Sequence, residues 1–324
     1  MAQLIQSDFN PPWWIGSPHL QTLWPSLLRS HPLPDLRWER VELSDGDFID
    51  LAWEDVDGPL VLLLHGLEGS LESHYATPLI SALRGAGFRP LFMHFRGCSG
   101  EPNRLLRSYH SGATEDLSEI IGFLRRNGEH PQAAVGISLG GNLLLKYLAE
   151  QDHDPGFKAA VAVSVPFNLK STAEHLQRGF SRIYGRYLLR KLLKSYARKC
   201  RSLSIPGIED YASIRSIYEF DDRITSVQNG FINADDYYNR CSCRQFLKGI
   251  STPTLILHAK DDPFMQPNDI PSLQDLGPGV SLEVSNRGGH VGFVQGRYPW
   301  RPVYWLDSRI PAFLKHAFAQ NCHC

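Results

Sequence analysis

Gly136-Ile137-Ser138-Leu139-Gly140 fits G-x-S-x-G, the pattern of a strand that turns sharply into a helix with a serine at the apex. The spacing has a geometric cause. The turn brings backbone close against backbone, so the positions flanking the serine carry no side chain. The serine oxygen then stands at the N-terminal end of a helix, whose dipole favours negative charge. Five residues can match by chance, and the competing reading is a glycine-rich turn with an incidental serine. The neighbours favour the reactive elbow. Ala133–Ile137 is an apolar, strand-like run, and Leu143–Ala149 follows with helical character.

A serine hydroxyl is a weak nucleophile at neutral pH. It needs a base beside it, and the base needs an acid to hold its tautomer. With this elbow the chain order is serine, then acid, then histidine. Downstream of Ser138 both partners appear, each after a strand-like run. Thr254–His258 (TLILH) is followed by Ala259-Lys260-Asp261-Asp262-Pro263. Ser281–Val284 is followed by Arg287-Gly288-Gly289-His290-Val291-Gly292-Phe293. Asp262, directly before Pro263, is favoured over Asp261 as the acid; the other carboxylate is expected to cap the turn through the backbone. A lone histidine would read as a loop residue bonded locally, but His290 stands in the expected third place among glycines. Two backbone N–H groups should hold a developing oxyanion: that of Leu139, after the nucleophile, and that of Leu67 in His65-Gly66-Leu67.

These residues must be carried by strand ends. Leu60–Leu64 (LVLLL) and Pro90–Phe95 are apolar throughout, as strands buried on both faces are. Tyr75–Gly87 and Thr114–Arg126 read as helices, and Ala159–Val165 as a further strand. Alternation of strand and helix calls for an α/β fold with a mostly parallel central sheet flanked by helices. In such sheets ligands bind beyond the carboxyl ends of the strands, where residues 65–70, 96–100 and 138 all fall. Trp38–Leu43 and Phe48–Trp53, separated by Ser-Asp-Gly-Asp, read as an antiparallel hairpin. Residues 166–249 break the alternation with a mostly helical, polar-aromatic stretch. It is too long for a plain loop and is read as a cap over the site. The expectation is one domain over 1–324 with this cap insertion, beginning with a Pro/Trp-rich segment 1–37. That segment has neither helix nor strand periodicity and should lie as a stiff strap with buried tryptophans, pinned by His19 and Gln21. Pro299–Phe318 should close the chain as a helix.

Other features carry less. His110 and Glu115 resemble an H-x4-D acyltransferase signature with Glu for Asp, but Glu115 and Asp116 read as first-turn acids of a helix. Tyr109-His110-Ser111-Gly112 could line a pocket or open that helix. Asp221 and Asp222 read as anchors within the cap. Arg182, Arg186, Arg190, Lys194 and Arg198 recur every four residues, with Ile183, Tyr184, Tyr187, Leu188, Leu192 and Tyr196 on another face. A solvated basic face is the plainer reading, and attraction to an anionic substrate or a lipid surface is the sharper one.

Net charge is −1 over 324 residues, which lacks the basic footprint of a nucleic-acid binder. The amino terminus has no signal-peptide pattern, and no run suffices for a membrane span. Six scattered cysteines form no disulfide framework and suit a reducing, cytoplasmic setting. Cys241-x-Cys243 and Cys322-His323-Cys324 have poor zinc spacing, so no metal is expected.

The chain resembles the α/β-hydrolase superfamily, and more narrowly the YheT-like hydrolases, relatives of the animal abhydrolase-domain esterases and lipases. The resemblance runs nearly the full length. It rests on Pro12-Trp13-Trp14 with His19-Leu-Gln-Thr22, His65-Gly-Leu-Glu-Gly69, Arg96-Gly97-Cys98-Ser99-Gly100, Tyr109-His-Ser-Gly112, Gly136 to Asn142, Phe220-Asp221, Tyr237-Tyr238, Asp261-Asp262-Pro263-Phe264 and Gly288 to Phe293. Cys241-Ser242-Cys243 departs from it, where relatives more often carry serines. The resemblance implies a Ser138–Asp262–His290 triad and carboxylic-ester hydrolysis without a cofactor, and it implies little about the natural substrate; the expected substrate is a small-molecule ester of short to medium acyl length or a lipid ester. The alternatives are an acyltransferase on the same triad and a non-catalytic ligand-binding relative, which would be expected to have lost a triad member.

Overall fold

The computed structural model describes residues 1–29, 32–151, 156–204 and 210–320. Nine strands form one sheet: β1 (Gln3–Gln6), β2 (Arg37–Glu42), β3 (Phe48–Trp53), β4 (Leu60–Leu64), β5 (Arg89–Met93), β6 (Pro131–Ile137), β7 (Ala159–Val163), β8 (Thr254–Ala259) and β9 (Val280–Ser285). Their spatial order is β1-β9-β8-β7-β6-β4-β5-β3-β2. The run from β5 to β1 is parallel throughout. The hairpin β2–β3 joins β5 antiparallel.

The apolar runs are buried on both faces because alternate residues feed different cores. Leu62 and Leu64 pack into one core with Leu117, Ile120 and Leu144. Val61 and Leu63 pack into the other with Ile80, Leu83 and Ile310. The helices supplying those partners are α2 (Ala76–Gly85), α3 (Thr114–Arg126), α4 (Leu139–Glu150) and α10 (Leu306–Gln320). Helix α3 holds Glu115 and Asp116 in its first turn and Arg125 and Arg126 in its last, which suits its dipole.

Between β7 and β8 the chain is helical: α5 (Leu169–His175), α6 (Ser181–Leu203), α7 (Ile217–Phe220), a π turn (Asp221–Thr225), α8 (Ser226–Gln228) and α9 (Ala234–Cys241). Among the described residues of this insertion there is no strand, as the sequence suggests. It has small apolar cores of its own, one around Leu169, Tyr184 and Tyr237, another around Leu192, Tyr196 and Phe220. Along α6 the cations Arg182, Arg186, Arg190 and Lys194 are exposed, while Arg198 is half-buried. Tyr184, Leu192 and Tyr196 face inward, but Ile183 and Tyr187, expected on the same face, are 54% and 59% exposed.

Two regions differ from expectation. The first 37 residues include an edge strand, β1, paired parallel with β9, and a helix, α1 (Pro18–Leu28). The strand is too short to show a period and takes its register from the free edge of β9. The helix begins with proline at its first position, where the missing N–H costs nothing. The tryptophans are not buried: Trp13 is 82% exposed, and half-buried Trp14 packs against Trp24 with ring centroids 4.8 Å apart. Near the carboxyl end, β10 (Val294–Tyr298) and β11 (Arg301–Tyr304) form a separate hairpin, so α10 starts at Leu306 rather than Pro299. A proline that read as a helix start lies in the hairpin turn instead.

Candidate active site

Ser138 follows β6 and caps the start of α4 with φ 52° and ψ −116°, a conformation that costs a non-glycine residue about 1–3 kcal/mol. The surroundings enforce it. A Cβ at Gly136 would lie 2.4 Å from the Gly140 carbonyl oxygen, and one at Gly140 would lie 2.5 Å from the Leu64 carbonyl oxygen. The Ser138 N–H is tied to the Val163 carbonyl at 2.8 Å. The G-x-S-x-G glycines are thus required by close approach of neighbouring backbone.

The structure brings Ser138, His290 and Asp262 together. Ser138 Oγ is 3.1 Å from His290 Nε2, and His290 Nδ1 is 2.8 Å from Asp262 Oδ2. The carboxylate can only accept, so Nδ1 carries the proton and Nε2 faces the serine as an acceptor. Asp262 is 4% exposed and His290 8%. The two aspartates divide their work differently from the expectation of one each. Asp262 also closes its own turn, its Oδ1 accepting the Phe264 N–H at 2.8 Å. Asp261 reaches across to the histidine loop, accepting the Gly289 N–H at 3.0 Å, and burial pushes its carboxyl above the usual range.

The His290 loop has supports that sequence reasoning missed. Thr22 Oγ accepts the His290 N–H at 2.9 Å, and Ser164 Oγ accepts the Val291 N–H at 3.0 Å. The Phe264 ring stacks on His290, with centroids 3.9 Å apart and planes 6° from parallel. Gln21 bonds the Ile15 carbonyl and both polar groups of Val294, so the amino-terminal helix braces the loop that carries the histidine. His19 bonds Tyr184 of α6 instead. The signal for Thr22 lay in the His-Leu-Gln-Thr run, but nothing in the sequence joins position 22 to 290.

Leu67 and Leu139 flank the serine. A Cβ at Gly66 would stand 3.3 Å from the Ser138 Cβ, which puts the peptide leading to Leu67 beside Ser138. Among the described residues neither the Leu67 nor the Leu139 amide donates to a protein acceptor. His65 holds the strand end below them. Its Nε2 accepts the Phe95 N–H at 3.0 Å and its Nδ1 donates to the Gly66 carbonyl at 2.7 Å, and burial pushes its pKa down to about 3, so it stays neutral.

Ser138, His290 and the Leu67 and Leu139 residues open on a cavity of about 510 Å³ between the sheet edge and the insertion, whose Leu176, Leu188, Leu192 and Ile217 supply apolar walls. Asn142 ties the two bodies together. It is fully buried; its amide donates to the Ser111 and Cys241 carbonyls and its oxygen accepts the Cys243 N–H. Ser111 lines the cavity and receives the Tyr237 hydroxyl. Asp221 accepts from Tyr238 and Thr225, both at 2.7 Å, and Asp222 accepts the Ala234 N–H: both aspartates bond within the insertion. Glu115 is bound by Arg107 and Asp116 by Arg96, neither of them by His110. Among the described residues no group of three His, Cys, Asp or Glu side chains is placed to hold a metal, and none of the helices is long and apolar enough to cross a membrane. Cys322-His323-Cys324 lies outside the described residues.

The model of the alpha/beta hydrolase fold family matches residues 59–297. YheT, a candidate esterase of Escherichia coli (strain K12), is 46% identical over 99% of this chain and 100% of its own length. The phospholipase ABHD3 of Bos taurus is 33% identical over 96% of this chain and 79% of its own. Among solved structures, the Pyrococcus furiosus esterase Pf2001 superposes with a TM-score of 0.57 at 18% identity, covering 95% of this chain and 99% of that one; at this identity the likeness is one of fold. The chain belongs to the α/β-hydrolase superfamily and, within it, to the YheT-like family.

Proposed function

We propose that this protein is a carboxylic ester hydrolase that works through an acyl-enzyme on Ser138. The observation that carries the reading is the hydrogen-bonded series from Ser138 Oγ through His290 to Asp262, set beneath the cavity. The esterase and phospholipase relatives support the reaction class. His290 Nε2 takes the proton as Ser138 Oγ attacks the ester carbonyl. The tetrahedral oxyanion sits between the Leu67 and Leu139 N–H groups, and Asp262 steadies the imidazolium. The alcohol leaves with the proton from His290. A water, deprotonated by the same nitrogen, then attacks the acyl carbonyl and returns the serine and the free acid. No cofactor takes part.

The chain is one domain in this reading, and residues 166–249 are its cap. A 510 Å³ cavity falls in the range that encloses a drug-sized ligand, which suits a short to medium acyl chain with its alcohol. The outer face of the cap suits a lipid source for that ester. Arg182, Arg186, Arg190 and Lys194 are exposed there beside Phe180, Ile183 and Tyr187, and Tyr187 continues into the cavity wall. Each surface cation near an anionic bilayer contributes about 1 kcal/mol.

Ser138→Ala should abolish hydrolysis of p-nitrophenyl esters, by about 10⁴-fold or more in kcat, and a fluorophosphonate probe should label Ser138 in the native protein alone. Equal activity of the two proteins would overturn the mechanism. Vesicles containing phosphatidylglycerol should retain the protein in sedimentation at low salt and release it as salt rises, whereas phosphatidylcholine vesicles should not retain it. Equal retention on both would remove the role of the basic face.

A further inference from the structure

The backbone of Glu68 is unusual for its residue type. It lies in the turn closed by the Gly69 N–H and the Gly66 carbonyl at 3.0 Å, and its φ is 51°. A left-handed turn position favours glycine, and this loop has glycine at 66 and 69. A glutamate held there against its backbone preference suggests that the side chain is needed. Its contacts show where it is anchored. The Glu68 N–H donates to the Tyr109 hydroxyl at 2.8 Å, and that hydroxyl donates to Glu68 Oε1 at 2.8 Å. Ser195 Oγ donates to Glu68 Oε2, and Lys191 Nζ donates to the Glu68 carbonyl at 2.8 Å. Ser195 and Lys191 are one turn apart on α6. Every polar group of Glu68 is therefore engaged, two of its oxygens by the cap helix and the rest by Tyr109. Burial pushes the Tyr109 hydroxyl well above its usual range, so it stays a donor.

We propose that Glu68 is a positioning residue through which cap helix α6 sets the oxyanion-binding turn. The residue before it, Leu67, offers one of the two amides assigned above to the oxyanion, so this inference rests on that assignment. Rotation of the turn at 66–68 would swing the 66–67 peptide, which carries the Leu67 N–H, away from Ser138. Three partners from two different elements resist that rotation, and α6 also forms a wall of the cavity through Leu188 and Leu192. The cap thus does more than enclose substrate: its seating aligns a donor that acts on the transition state. A donor of that kind affects kcat rather than ground-state binding.

The test uses Glu68→Gly, which suits the turn and so folds, together with Ser195→Ala and the double variant. Glu68→Gly should lower kcat by about 100-fold, the scale of losing one oxyanion donor, with KM for p-nitrophenyl butyrate within twofold. Inhibition by a trifluoromethyl ketone should weaken in parallel, while inhibition by the product acid should not. Ser195→Ala should show a smaller loss, about 3- to 10-fold, as one of several tethers to the same residue goes, and the double variant should be no worse than Glu68→Gly, because residues acting as a unit are non-additive. Unchanged kcat in Glu68→Gly overturns the proposal, as does an additive double variant or a parallel loss of product-acid binding. Fluorophosphonate labelling of the native enzyme separates this from the mechanism itself. If Ser138 does not label, the serine mechanism fails and the proposal with it; if it labels and Glu68→Gly is fully active, only the coupling fails.

Discussion

At the residue scale the two neighbouring aspartates offer the sharpest contrast. Asp262 faces His290 Nδ1, and Asp261 faces the Gly289 amide. Asp262→Asn should lower kcat by about 10⁴-fold, because an amide that donates to Nδ1 favours the wrong imidazole tautomer. Asp261→Asn keeps a carbonyl oxygen that can accept from Gly289, so its kcat should fall by less than about tenfold. Steady-state kinetics on both variants checks the assignment, and equal losses would contradict it. The sequence placed both carboxylates in one loop after a strand, but a one-residue difference in direction is settled by how the chain turns at Pro263 and where Phe264 packs.

At the element scale the insertion and the sheet edge meet at a few buried polar contacts. Asn142→Ala would strip partners from the Ser111 and Cys241 carbonyls and the Cys243 N–H. Each buried group left unsatisfied costs about 1–3 kcal/mol, so chemical denaturation should show a loss of about 3 kcal/mol or more. Asp221 gives the insertion a pH signature. Burial pushes its carboxyl from 3.8 up to about 6, against the lowering effect of the Tyr238 and Thr225 hydroxyls. Between those values the folded chain holds a proton that the unfolded chain has lost, so stability falls as pH rises from about 4 to 6. Asp221→Asn should remove that slope: thermal midpoints of the native protein should fall relative to the variant over this interval and run parallel above it. A constant difference at every pH would show that Asp221 does not titrate there. Helical character of the insertion was legible in its composition, and so was the basic spacing of α6. The outward turn of Ile183 and Tyr187 was not, because a 3.6-residue period marks a face without saying how wide the buried stripe is.

At the scale of the whole molecule, His65, His94, His110 and His258 are buried outside the Ser138–His290–Asp262 series. Desolvation pushes His65 and His110 down to about 3, and His94 and His258 down to about 4. Each is neutral when folded and takes a proton when unfolded below 6.5. Stability is therefore fully present above pH 6.5 and is lost as pH falls towards the folded values, by up to about 1.4 kcal/mol per pH unit for each histidine. Asp221 and Asp261, whose folded carboxyls are raised, oppose part of that loss. Urea midpoints measured from pH 7 to pH 5 should fall steeply, and a flat profile would mean that these histidines are accessible to protons in the folded chain.

The sequence by itself determined the α/β alternation, the sharp strand-to-helix turn at Ser138 and the placing of Asp262 and His290, because each is written in neighbouring residues: apolar runs long enough for strands, glycines where backbones touch, and a carboxylate and an imidazole just past strand ends. The hairpin of β10 and β11 and the helix α1 were hidden by prolines that mark helix starts and turns alike. What only the tertiary structure decided is joined across the chain. Thr22 supports residue 290, Asn142 holds residues 111, 241 and 243, and Ser195 and Lys191 hold Glu68. These contacts have no local period and no motif, since they depend on which elements the sheet order sets side by side, and that order exists only once the strands have paired.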